Sequence, residues 1–233
     1  MKHDIVYILK NNIDSDEIKY SLRSVERNFP YRKIWFVGGC PDGIVPDEYV
    51  NFKQIGWTKW QLATSAIYMA CQTEDITNDF WLFNDDFFVM KPVDGLHPMI
   101  RGTLRQRVRD IETPRNGNTT AYSRQLRKTL HTLELNGFPQ LDYALHVPML
   151  INKARALEVL DRFPDCAMFR SLYGNYWGIE AVKTNDVKVR NKKDCPKDTI
   201  LLSTDDESFS KGKVGEYIRE CFPEPCKYEL CKE

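Results

Sequence analysis

The sequence has little that would commit it to a membrane, a repeat architecture or a phosphate loop. No run of 18 apolar residues occurs in its 233 residues, so no membrane-spanning helix is expected. The opening MKHDIVYILKNN lacks the long apolar stretch of a secretory leader, and the expectation is a cytoplasmic protein. Glycine is sparse, and neither GxGxxG nor GxxxxGK occurs, which argues against a dehydrogenase and against a P-loop NTPase. There are only four histidines, namely His3, His97, His131 and His146. The seven cysteines are scattered except for Cys221, Cys226 and Cys231. Those three are too widely spaced for a zinc knuckle and have no histidine near them, so reduced thiols are expected. No repeat and no low-complexity linker is visible, and the composition excludes disordered, collagenous and coiled-coil chains.

What is present is a soluble-type composition, 42% hydrophobic and 28% charged, in a chain long enough to bury a core. The formal net charge is zero, with 33 basic and 33 acidic residues, but the distribution is uneven. Between 101 and 128 stand Arg101, Arg105, Arg107, Arg109, Arg115, Arg124, Arg127 and Lys128, opposed only by Asp110 and Glu112. The balance there is +6, which leaves −6 for the rest. A second basic cluster is Lys183, Lys188, Arg190, Lys192 and Lys193. Such patches are either solvated faces or attractors of phosphate and other anions.

Hydrophobic periodicity gives alternating elements over the first part. Residues 4–9 and 33–37 are apolar runs that read as strands, with a third expected at 50–55. Residues 17–28 carry Ile18, Leu22 and Val25 at helical spacing behind the capping types Asp14, Ser15 and Asp16. Residues 60–71 read as a second helix, and 80–83 as a fully apolar strand. The alternation implies a mostly parallel sheet flanked by helices. Residues 98–140 are basic and read as two helices around an exposed loop at Pro114-Arg115-Asn116-Gly117. Strands are then expected at 143–150, 186–189 and 199–202, and helices at 152–163, 167–176 and 208–221.

The strand at 80–83 runs straight into Asn84-Asp85-Asp86, followed by Phe87-Phe88-Val89. Ligands in open α/β sheets bind at such strand ends. Two acids beside a core need a partner. That partner is either a turn capped by the Asp side chains or a divalent cation, since Mg²⁺ and Mn²⁺ choose oxygen ligands and bridge to phosphates. Lys10 and Asn11, just past the first strand, are placed to touch a nucleotide, and Arg23 and Lys59 are candidate phosphate clamps. Trp57, Trp60, Tyr173, Tyr176 and Trp177 are aromatic faces that either stack on a base or sugar or fill the core.

The stretch from Glu17 to Asn28, followed by Arg32-Lys33-Ile34-Trp35-Phe36-Val37-Gly38-Gly39 and later by Phe83-Asn84-Asp85-Asp86-Phe87-Phe88 ahead of Lys91-Pro92-Val93, resembles the front half of a GT-A type nucleotide-sugar transferase. More narrowly it is similar to Stealth-like sugar-phosphate transferases and to glycosyltransferases encoded by bacteriophages. The resemblance is good over 4–93 and looser beyond. It implies that Asp86 is a metal ligand and that Asp85 faces the sugar, with Mn²⁺ or Mg²⁺ holding a nucleoside diphosphate sugar such as a UDP-sugar. Asn84 stands where many such motifs carry Asp. Stealth-like enzymes also carry a His-x-Pro element and a downstream Arg, here His146-Val147-Pro148 and Arg170. His146 would then be a metal ligand or an acid/base, and Arg170 would hold phosphate. Asp142 is an acceptor-side base candidate, and Glu180, after Trp177-Gly178, competes for that role.

The resemblance divides the chain into a nucleotide-sugar half (1–97), a basic helical arm (98–140) and an acceptor-side half (141–233) of one GT-A-like domain. The arm lies between the acidic motif and His146, a region that faces the acceptor in GT-A folds, so the resemblance implies an anionic acceptor. DNA carrying 5-hydroxymethylpyrimidine is the first expectation, read through Arg105, Arg109, Arg124 and Arg127, in the cytoplasm of a bacterial host if the gene is a phage's. Alternatives are a sugar-phosphate transferase acting on a cell-surface glycan and an inactive nucleic-acid or glycan-binding module.

Overall fold

A computed structural model describes residues 2–12, 15–165 and 168–230. Asp14, Ala167 and Cys231, which the sequence reading used, lie outside these. The chain is a mixed α/β structure whose main sheet has five strands in the order β3-β2-β1-β4-β7. These are β1 (Asp4–Leu9), β2 (Ile34–Gly38), β3 (Glu48–Asn51), β4 (Asp79–Phe83) and β7 (Met149–Asn152). The first four are mutually parallel, and β7 runs antiparallel to β4. The central strands are buried along nearly their whole length, as parallel strands covered on both faces must be.

Side chains alternate across the sheet. Ile5, Tyr7, Leu9, Phe36 and Phe83 pack with Ile18, Leu22 and Val25 of α1 (Glu17–Asn28). Val6, Val37, Phe80 and Leu82 face α2 (Lys59–Gln72) and α5 (Lys153–Arg162). After β4 the chain turns through Asn84-Asp85-Asp86 into β5 (Phe87–Val89), which starts a second sheet in the order β5-β10-β9. Its other strands are β9 (Lys188–Val189) and β10 (Leu201–Thr204). A short ladder joins β6 (Met99–Ile100) to β8 (Val182–Lys183).

The basic segment forms α3 (Leu104–Glu112) and α4 (Ala121–Leu135) around a 3-10 turn at Thr113–Arg115. Leu104, Val108, Ile111, Leu126 and Leu133 join the same core as α2, α5 and α6 (Phe169–Tyr176). The expected arm is therefore an integral layer, exposed only on its outer face. Its inward positions recur at helical spacing, which is why it cannot stand free.

Several expected elements shift, among them the strands expected at 186–189 and 199–202, which are 188–189 and 201–204. The third strand is 48–51 rather than 50–55. The strand expected at 143–150 is ordered only over 149–152, since Pro148 has no N–H for the ladder. The expected last helix splits into α7 (Asp206–Lys211) and α8 (Lys213–Cys221) at Gly212, where a Cβ would lie 2.4 Å from the Ser208 carbonyl oxygen. Among the described residues no helix is long and apolar enough to cross a membrane. The described cysteines, Cys40, Cys71, Cys195, Cys221 and Cys226, are free thiols.

Candidate functional site

At the C-terminal ends of β1 and β4 the sheet opens onto a group of acids. The strand-to-strand turn places Asp86 in the interior, 8% exposed. Its Oδ2 accepts from Lys188 Nζ at 2.6 Å and from Ser203 Oγ at 3.1 Å. Its Oδ1 is buried with no hydrogen-bond partner. Asp85 beside it is half-buried, and its pKa is pushed up to about 6 by burial and then by Asp86, against the pull of Lys10 and Lys188. Glu17, at the first turn of α1, is buried; Thr204 Oγ1 donates to its Oε1 at 2.5 Å and Ser15 Oγ to its Oε2 at 3.3 Å. Its pKa is pushed up to about 7 by burial, with Asp86, Asp85 and Asp206 adding to the rise.

These shifts have one cause. Carboxylates have been gathered in a low-dielectric corner with fewer cations than their charge requires. Among the described residues no three His, Cys, Asp or Glu side chains are grouped to hold a metal by themselves. The residues nevertheless fit a divalent cation of the kind completed by substrate phosphates, which takes one or two carboxylates from the protein. The free lone pairs of Asp86 Oδ1 and the raised Asp85 are the oxygens on offer.

Cations border the same corner. Arg170, on α6, reaches behind the motif: its Nη1 donates to the Val147 carbonyl and its Nη2 to that of Leu82 at 3.4 Å. Its guanidinium carbon lies 5.3 Å from the centre of the Phe87 ring. Burial pulls this guanidinium down to about 10, with Asp86 acting in the opposite sense, so it stays charged at neutral pH. His146 stands immediately ahead of Val147-Pro148 and β7, with Nδ1 at 3.0 Å from Asp186 Oδ2. Burial holds its pKa below the usual value although Asp186 and Asp86 raise it.

The other expected site residues go elsewhere. Arg23 does not clamp phosphate: its Nε and Nη2 bind Glu229 at 2.6 Å and its Nη1 donates to the carbonyls of Phe222 and Pro223. All of those donations tie α1 to the C-terminal segment. Asn11 pins the loop after β3, through Phe52 O and Gln54 N. Trp60 is half-buried and stacks on Tyr122 of α4 at 6.5 Å, with Lys59 Nζ 5.1 Å from its ring. It seals α2 to α4 rather than offering a free platform. Asp142 is fully buried behind Arg101, with Nη1 to Oδ2 at 3.8 Å, and burial raises its pKa. A carboxylate so enclosed is not placed to meet an acceptor.

On the outer layer Arg105 pairs with Glu134 and Arg127 with Glu112. Arg109 and Arg124 are exposed and bond only to the neutral Gln106 and Thr119. Glu180 is exposed, past the end of α6. An open hollow of about 400 Å³ lined by Lys2, His3, Pro30, Trp81 and Asp94 lies beside the start of β1, at the other end of the sheet from the acids.

Sequence reasoning missed Glu17, Lys188, Ser203, Thr204 and Asp186 as members of the site. Ser203-Thr204-Asp205 carried a usable signal, a polar end to an apolar strand like that at Asn84-Asp85-Asp86. Lys188 was hidden in a basic run, and Glu17 looked like a helix-start acid.

No protein-family model matches the chain, and no curated protein does. Among solved structures it is similar to the galactosyltransferase LgtC in complex with donor and acceptor sugar analogues. The identity there is 10% over 96% of each chain, with a TM-score of 0.48. An active-site mutant of LgtC matches at 9% identity over 99% of this chain and 88% of that one, with a TM-score of 0.44. A likeness at this level carries no reading of activity, which has to come from the residues of the site.

Proposed function

We propose that the protein is a GT-A type glycosyltransferase that takes a sugar from a nucleoside diphosphate donor, a UDP-sugar first among them. Asp85 and Asp86 would hold Mn²⁺ or Mg²⁺, which when bound offsets the negative charge of the diphosphate leaving group. The observation that carries this reading is the unbalanced acid cluster at the end of β4, with Asp86 Oδ1 buried and unpartnered. An unpartnered carboxylate oxygen beside two further acids is costly to bury, and a cation that completes it removes that cost.

Lys10 and Lys188, whose charges act on the acids, would meet phosphate oxygens. Half-buried Arg170, held by the Val147 and Leu82 carbonyls, adds a fixed positive charge that needs no reorganisation during the reaction. His146 is the acid/base group: Asp186 occupies Nδ1, which leaves Nε2 for the proton of the acceptor hydroxyl. In that step the acceptor oxygen bonds to the anomeric carbon, the bond from that carbon to the phosphate oxygen breaks, and the nucleoside diphosphate leaves.

The acceptor is anionic in this reading, and 5-hydroxymethylpyrimidine in DNA is the one we propose. Arg109 and Arg124 support it, because acids do not neutralise them as they do Arg105 and Arg127. A second reading is favoured by the fixed cation Arg170 beside the acids. The same hydroxyl would attack the β-phosphorus instead and transfer a sugar phosphate to a cell-surface glycan, as phosphoryl transfer relies chiefly on positioning and charge.

The test is incubation with MnCl₂, a panel of nucleotide sugars, and either 5-hydroxymethylated DNA or a polysaccharide, with nucleosides and nucleotides read by mass spectrometry. A hexose-sized gain on DNA with release of nucleoside diphosphate, abolished by EDTA and by Asp86→Asn, is the expected result. Release of nucleoside monophosphate selects sugar-phosphate transfer. No donor turnover under any condition overturns both and leaves a binding module.

A further inference from the structure

His146 is held from two sides by one carboxylate. Its backbone N–H donates to Asp186 Oδ1 at 3.1 Å, and its Nδ1 lies 3.1 and 3.0 Å from Oδ1 and Oδ2. Asp186 is held in its turn: Arg101 Nη2 donates to Oδ2 at 2.6 Å, and Arg190 Nη1 stands at 3.7 Å. Arg101 opens the segment leading to α3, and its own N–H donates to the Asp142 carbonyl at 3.0 Å. Its Nε and Nη1 are buried without hydrogen-bond partners, as is the Oδ2 of Asp142. The guanidinium therefore makes its one good side-chain hydrogen bond to Asp186, with Nη1 kept at ion-pair distance, 3.8 Å, from Asp142 Oδ2.

We propose that Asp186, oriented by Arg101, is the positioning residue of His146: it fixes the proton on Nδ1 and so presents Nε2 as the base. This rests on the role given to His146 above. The chemistry follows from the inventory of donors. A neutral imidazole has one N–H, and an ionised carboxylate only accepts. An imidazole nitrogen within hydrogen-bond distance of both oxygens of such a carboxylate must be the protonated one. Burial pushes Asp186 up, but His146 and Arg101 outweigh it and keep the carboxyl well below the usual range, so Asp186 is ionised throughout. The groups facing His146 are Asp186, Lys188 and Asp86. Arg101 reaches it only through Asp186, which makes α3 and its entrance a mechanical neighbour of the base.

The experiment uses the full-length protein labelled with ¹⁵N-histidine. The imidazole resonances of His146, assigned by their loss in His146→Gln, are predicted to show the Nδ1–H tautomer in the wild type and to lose that preference in Asp186→Asn. In transferase assays Asp186→Asn is predicted to lower kcat by up to about 10⁴-fold, the loss seen when a catalytic His loses its orienting carboxylate, with donor KM nearly unchanged. The same substitution made in His146→Gln should have no further effect on kcat. Arg101→Lys keeps the charge and gives a smaller kcat loss with the tautomer retained; it carries both readouts if Asp186→Asn fails to fold. A wild-type His146 protonated on Nε2, or an unchanged tautomer in Asp186→Asn, overturns the proposal. So does a kcat loss that is the same with and without His146. A chain with no transferase activity defeats the functional reading instead, since the tautomer is read without turnover.

Discussion

The two ends of the main sheet treat a buried acid in opposite ways. At the N-terminal end Asp4 is fully buried, yet Arg32 donates to both of its oxygens at 2.8 and 2.7 Å, Trp35 Nε1 donates at 3.1 Å and the Thr77 N–H at 2.9 Å. Both oxygens are used. At the C-terminal end Asp86 has one satisfied oxygen and one bare one, and Asp85 and Glu17 are pushed up to about 6 and about 7. The first acid closes the loop between β1, β2 and the turn before β4. The second group keeps charge in reserve. Burial is common to both, so burial does not separate them; the hydrogen-bond set does.

The contrast can be broken at either end. The largest expected effect is at the open end: Asp86→Asn should lower donor turnover by about 10²- to 10³-fold, while the protein still folds, since the amide oxygen can accept from Lys188 and Ser203. A loss of folding with retained turnover would reverse the assignment. At the closed end Asp4→Ala leaves the indole N–H of Trp35 and the N–H of Thr77 without their acceptor, while the exposed guanidinium of Arg32 turns to water, and should cost about 1–3 kcal/mol of stability. That corresponds to a fall in Tm of roughly 2–12 °C for a chain of this size, with KM for the donor unchanged in the folded fraction.

A third prediction concerns pH. Glu17 titrates near 4.5 when unfolded and at about 7 when folded, so between those values the folded state binds the extra proton. Stability is therefore highest below pH 4.5 as far as this group is concerned, and it falls as pH rises through 7. Glu17→Gln should remove about 1–3 kcal/mol of that fall, seen as a flatter plot of denaturation midpoint against pH between 5 and 8. The smallest effect is on the outer layer. Arg109→Glu with Arg124→Glu should weaken binding to hydroxymethylated DNA and reduce its salt slope, with Tm moving by less than ~0.5 kcal/mol equivalent. An unchanged salt slope would remove that face from acceptor binding.

Much of the layering was legible because it follows from periodicity. The helix at 17–28 and the strands at 4–9 and 79–83 are nearly where the apolar spacing placed them. The acidic turn was legible because two acids at the end of an apolar strand are costly wherever the chain goes. What was not legible depends on partners far along the chain. Arg23 read as a phosphate clamp, but its partner Glu229 is 206 residues away. Trp60 read as a stacking platform until Tyr122 covered it. Lys188 and Asp186 stand in a polar stretch with nothing local to single them out, and only the antiparallel pairing of β10 with β5, together with the parallel pairing of β9 with β10, brings that stretch to the acids. Local pattern predicts elements; the pairing of distant strands decides which charged side chains meet.

Thermal unfolding at pH 8, with and without MnCl₂ plus UDP, tests the meaning of the open end most directly. At a hundredfold excess over its dissociation constant a ligand of the folded state adds about 2.7 kcal/mol. The wild type should gain Tm accordingly and Asp4→Asn should gain as much, while Asp86→Asn gains nothing. An equal gain in Asp86→Asn, or none in the wild type, would contradict the reading of these acids as a site waiting for a cation.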